Sequence, residues 1–127
     1  MATELISILL VDDDEAIRES LGAFFEDEGF VVSYAASGED ALTQITTLQP
    51  TLCMTDMGLD GMQGDTFILK AHAVSSNTKY LVYSGLPYTP SAELQALGMT
   101  TADVLIKPVT DFTGMLDRIY SLAAPEN

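Results

Sequence analysis

The sequence predicts an α/β fold built on a parallel sheet, and three observations predict it. Apolar runs alternate with helical patterns along the whole chain, which is the signature of βαβ units. The first run, Ile8-Leu9-Leu10-Val11, is apolar at every position, as in a strand covered on both faces, and it leads directly into Asp12-Asp13-Asp14. Finally, 127 residues that are 47% hydrophobic, with no low-complexity stretch, suit one domain with its own core.

The elements follow in order. Strand one spans about Ser7–Val11. The next segment, Glu15–Glu28, places Ile17, Leu21, Phe24 and Phe25 on one helical face, and Gly29 supplies a C-cap. Phe30–Ala35 reads as strand two. Ser37 then N-caps a helix running to Leu48, with Glu39 and Asp40 in its first turn where the helix dipole favours acids. Pro50 punctuates before strand three, Thr51–Thr55. A glycine-rich loop (Gly58, Gly61, Gly64) follows Asp56, and a helix near Asp65–Val74 leads to strand four, Tyr80–Tyr83. Pro87 and Pro90 bracket a loop before a helix around Ser91–Leu97. Asp103–Ile106 is the fifth strand and Thr110–Leu122 the last helix, with Phe112, Leu116, Ile119 and Tyr120 near one stripe. Five β-α pairs fill residues 1–127 as one domain, with a tail or the start of a linker from about residue 123.

Five basic residues against nineteen acidic ones give a formal net charge of -14. That balance disfavours direct binding to nucleic acid or to an anionic membrane surface, both of which need Lys and Arg. Eight acids lie from Asp12 to Glu28 (Asp12, Asp13, Asp14, Glu15, Glu19, Glu26, Asp27, Glu28), offset only by Arg18. The single Cys53 forms no internal disulfide and reads as a small core residue. Glu4 stands where a signal peptide would be basic, and no apolar stretch approaches the ~18 residues of a membrane span. The expectation is a soluble, cytoplasmic domain.

The chemistry gathers at the strand ends. Strand one ends in Asp12 and Asp13, strand three in Asp56, strand four in Ser84-Gly85 and strand five in Lys107-Pro108. In a parallel sheet these carboxyl ends lie along one edge, so their side chains can converge. Carboxylates from two strands make a hard oxygen site suited to Mg²⁺ (or Mn²⁺). A lysine and a hydroxyl beside it supply the positive charge and donor that a phosphoryl group requires. Asp14 and Glu15 read instead as a helix start, and His72, the only histidine, as an ordinary helix residue.

With Val11-Asp12-Asp13, Asp56, Ser84-Gly85 and Lys107-Pro108 at successive strand ends, the chain resembles a response-regulator receiver domain of the CheY-like family over essentially its whole length. The resemblance implies a doubly wound, flavodoxin-like sheet of order 2-1-3-4-5 with five helices. It implies that Asp56 is the phosphoacceptor, that Asp13, Asp56 and the Gly58 carbonyl coordinate Mg²⁺, and that Asp12 acts through a metal-bound water. Lys107 would pair with the phosphoryl oxygens, held by a cis Lys107–Pro108 bond, and Ser84 would donate to one of them after moving inward. The implied partners are a sensor histidine kinase or histidine phosphotransfer protein upstream, and a downstream protein or fused output domain. The implied role is a phosphorelay switch that catalyses its own phosphorylation and dephosphorylation and is not a conventional enzyme.

This chain departs from the family pattern in places. Val104 stands three residues before Lys107, where the family commonly has an aromatic switch residue, and Tyr83 is a candidate substitute. Asp60 replaces a proline often found after the phosphoacceptor. Gly58 offers no side chain beside Asp56, leaving an attacking water room, while apolar Leu86 can limit it. Rival readings are a receiver-like interaction module that takes no phosphate, motivated by Val104, and a metal-dependent phosphohydrolase. Gly58, two residues after Asp56, argues against the hydrolase, because no second acid stands there to protonate a leaving group.

Overall fold

The computed structural model describes residues 5–59, 61–107 and 110–124. Strands β1 (Ser7–Val11), β2 (Val31–Ala35), β3 (Leu52–Thr55), β4 (Lys79–Ser84) and β5 (Val104–Ile106) form one sheet. Every pairing is parallel and the order is β2-β1-β3-β4-β5, as the sequence predicts. Helices α1 (Glu15–Asp27), α2 (Gly38–Leu48), α3 (Gly64–Val74), α4 (Ala92–Ala96) and α5 (Phe112–Ala123) alternate with the strands.

The central strands are apolar at nearly every position because both faces are covered. Successive side chains point to opposite sides of a strand. Leu9, Val11, Cys53 and Val82 therefore pack with Ile45, Phe67, Ile68 and Leu94 on the α2–α4 side. Ile8, Leu10, Met54, Leu81 and Tyr83 pack with Leu21, Phe25, Met115 and Ile119 on the α1–α5 side.

Helix ends follow the capping residues. The Asp14 carboxylate accepts from the Ala16 amide at 2.9 Å, and the Ser37 hydroxyl accepts from the Asp40 amide at 3.1 Å. Gly29, at φ +92°, closes α1, and the Phe30 amide reaches back to the Phe25 carbonyl at 3.1 Å.

Two expectations are corrected. The segment leading into β5 is a short 3-10 helix, Thr101–Asp103, so Asp103 precedes the strand. The cause is a reciprocal cap, in which Thr100 accepts from the Ala102 amide and Asp103 accepts from the Thr100 amide at 2.9 Å. The buried stripe of α5 is Met115 and Ile119, whereas Phe112 and Tyr120 are 43% and 47% exposed. These two aromatics lie beside the α1 seam, with ring centroids 4.8 Å from Phe24 and 5.6 Å from Phe30.

Candidate functional site at the carboxyl edge of the sheet

At the ends of β1, β3 and β5 the functional residue extends the ladder by one backbone bond, which fixes the backbone at this edge. The Asp12 amide donates to the Ala35 carbonyl at 3.2 Å and the Asp56 amide to the Val11 carbonyl at 3.0 Å. The Lys107 amide donates to the Ser84 carbonyl at 2.7 Å. Residues 95 positions apart in the chain thereby meet: the Lys107 Nζ lies 2.8 Å from Asp12 Oδ2 and 3.6 Å from Asp56 Oδ2.

Asp12 is 1% exposed, and its second oxygen accepts from the Asp14 amide at 2.9 Å. Asp13 is exposed and Asp56 half-buried. One carboxylate oxygen from each of Asp12, Asp13 and Asp56 lies within 4.8 Å of the others. Three carboxylates against the Lys107 ammonium leave an excess of negative charge that one divalent cation would balance, and oxygen donors are what Mg²⁺ prefers. The residues present therefore fit that metal.

Lys107 is held charged. Burial works to lower its pKa, but the hydrogen bond and charge of Asp12, with the charge of Asp56, outweigh burial and raise it above the ordinary 10.5. The ring of Tyr83 also lies under the ammonium, 5.2 Å from its centroid.

Three contributors escape a reading of sequence alone. Arg18 Nη1 donates to the Asp12 carbonyl at 2.7 Å, and the one signal for it is its place as the sole base in the acid-rich stretch. The Thr55 hydroxyl donates to the Asp56 carbonyl at 2.9 Å. Gly64 lets α3 start against the site: a Cβ there would sit 2.5 Å from the Asp56 carbonyl oxygen.

Ser84 is buried at the end of β4, and its Oγ accepts from the Leu86 amide at 3.2 Å. Gly58 borders open space, since a Cβ there would meet nothing within 4 Å, and Leu86 is 75% exposed. Tyr83 and Val104 lie on opposite faces of the sheet: Tyr83 belongs to the α1–α5 core, while Val104 packs on the α2–α4 side. The cause is strand alternation, because Val104 is in register with Val82, and Tyr83 with Leu105. Asp60 and the Lys107–Pro108 bond lie outside the described residues.

An acidic edge with a lysine at the end of a five-stranded parallel sheet defines a class, and the comparisons agree with it. The chain belongs to the response regulator receiver domain family, whose model matches residues 8–119. A CheY-like receiver domain from Methanospirillum hungatei shares the fold at a TM-score of 0.78 and 30% identity, covering 94% of each chain. A protein-glutamate methylesterase/protein-glutamine glutaminase from Rhodopseudomonas palustris is 28% identical over 93% of this chain and 32% of its own length. Sporulation initiation phosphotransferase F of Bacillus subtilis is 33% identical over 59% of this chain and 60% of its own. The chain thus spans about a third of the first of these two curated relatives and 60% of the second. It is a receiver domain of the two-component response-regulator kind, with the acidic pocket at which such domains bind Mg²⁺.

Proposed function

We propose that this receiver takes a phosphoryl group on Asp56 and thereby switches a protein-interaction surface. The observation that carries the reading is the meeting of Asp12, Asp13, Asp56 and Lys107 from three strand ends, with the Lys107 ammonium 3.6 Å from Asp56. An Asp56 oxygen attacks phosphorus in line, forming a new P–O bond, while the P–N bond to a donor histidine breaks and its electron pair leaves with the imidazole. Lys107 neutralises charge on the phosphoryl oxygens, and the ladder bonds of Asp12, Asp56 and Lys107 hold the groups without reorganisation. Mg²⁺ (or Mn²⁺), held by Asp13, Asp56 and the Gly58 carbonyl with Asp12 through water, would supply Lewis-acid charge to the same oxygens. Ser84 leaves the Leu86 amide to donate to the phosphoryl group, which biases the loop after β4.

The upstream donor in this reading is a sensor histidine kinase or a histidine phosphotransfer protein, and the output is a separate protein or a fused domain. Residues 1–127 act as one receiver unit with a tail from about residue 123, in the cytoplasm, with no direct role at nucleic acid or membrane. Among the described residues no helix is long and apolar enough to cross a membrane. The switch catalyses its own phosphorylation and dephosphorylation and acts on no separate substrate.

The test is incubation with Mg²⁺ and acetyl phosphate, read by intact mass. One phosphoryl adduct in wild type, lost in Asp56→Asn and with chelator, supports the reading. An equal adduct in Asp56→Asn, or none in wild type, overturns it. Steady release of phosphate from unrelated esters would favour a hydrolase.

A further inference from the structure

Tyr88 is buried the wrong way round. A tyrosine normally packs its ring and leaves its hydroxyl in water or on a partner. Here the residue as a whole is only half-buried, yet its hydroxyl is shielded from solvent and finds no hydrogen-bond partner among the described residues. A hydroxyl taken from water without replacement is unfavourable, a cost that turning the hydroxyl out to water would relieve. The ring packs against the α2–α4 core, the same cluster that Val104 joins from β5. Val104 is in register with Val82 of β4, two residues before Ser84.

Tyr88 follows Ser84 by four residues, in the loop that Pro87 and Pro90 stiffen. That loop is tied to Ser84 by the Leu86 amide, at 3.2 Å from the Ser84 hydroxyl. A movement of the Ser84 hydroxyl away from the Leu86 amide would release this tie. Leu86 and Gly85 beyond it are exposed, so nothing in the core holds the first half of the loop.

We propose that Tyr88 is the moving aromatic of this chain's switch: tucked against the core with its hydroxyl unpaired at rest, and turned out to water when Ser84 engages phosphorylated Asp56. The inference rests on the phosphorylation of Asp56 proposed above. It assigns the aromatic role to the loop after β4, where a side chain can move with Ser84, and leaves Val104 as a small residue beside it.

The test uses the full chain labelled with 3-fluorotyrosine, whose fluorine sits beside the hydroxyl. The sequence has five tyrosines, and the Tyr88 signal is assigned by its loss in Tyr88→Phe. Spectra in H₂O and D₂O are taken before and after Mg²⁺ and acetyl phosphate, with intact mass measured on the same sample. The expected result is an adduct together with a shifted Tyr88 signal that gains a solvent isotope shift. An adduct with an unmoved Tyr88 signal overturns the inference and leaves Asp56 phosphorylation standing. No adduct overturns both. Tyr88→Phe removes the unpaired hydroxyl, so it should raise the thermal midpoint of the unphosphorylated protein, and a lowered midpoint counts against the unpaired hydroxyl and the inference.

Discussion

At the residue scale, Lys107 is the cation that allows three carboxylates to share one strand edge. Replacing it by Met leaves Asp12 buried without its 2.8 Å partner. Breaking a partly buried pair from one side should cost about 1–3 kcal/mol in the absence of metal, and saturating Mg²⁺ should recover part of it. Chemical denaturation with and without chelator measures both. The raised pKa adds a pH signature. A folded-state value above 10.5 means that Lys107 contributes stability fully below that pH and loses it as pH rises through the folded value. Cys53 and Tyr80, both pushed up chiefly by burial, act in the same direction. Wild type should therefore lose stability on the alkaline side, and Lys107→Met should lose it with a shallower slope. Gly58 carries a kinetic prediction. Its Cβ position faces open space, so Gly58→Asn should fold normally and lengthen the life of the phosphoryl group several-fold by crowding the attacking water. An unchanged rate of label loss would count against that.

At the element scale, the start of α3 is the most exacting join. Gly64→Ala would place its Cβ 2.5 Å from the Asp56 carbonyl oxygen and 2.8 Å from the Met57 Cα, both backbone atoms. Overpacking of this kind should cost about 1–3 kcal/mol and displace the end of β3, slowing acetyl phosphate labelling as well as lowering the thermal midpoint. Normal labelling in a destabilised variant would separate the two effects. Elements were legible where a local rule acts alone: Asp14, Ser37 and Gly29 each mark a helix end by capping chemistry. They were not legible where a distant residue decides. The 3-10 turn before β5 depends on Asp103, which Arg118 of α5 holds with its Nε at 2.9 Å. Gln49 ends α2 at φ 44° with no glycine to announce it, because its side chain donates to the Val74 carbonyl at 3.0 Å, tying α2 to the end of α3.

At the scale of the whole molecule, the parallel sheet explains why most of the site could be read. Once β1, β3, β4 and β5 are known to run the same way, Asp12, Asp13, Asp56, Ser84 and Lys107 must share an edge. Arg18, Thr55 and Tyr88 could not be read that way, since each acts through a backbone or packing contact that strand order does not specify. The net charge of -14, with three carboxylates gathered at this edge, also predicts a global response to metal. Mg²⁺ at ten times its dissociation constant should stabilise the fold by about 1.4 kcal/mol, and Asp13→Asn should weaken that response. The central claim is that the phosphoryl group arrives on Asp56, and borohydride reduction of the acyl phosphate tests it most directly. Protein treated with Mg²⁺ and acetyl phosphate, then reduced and sequenced by mass spectrometry, should carry homoserine at position 56. Homoserine at Asp12 or Asp13 instead, or at no aspartate, would contradict the account.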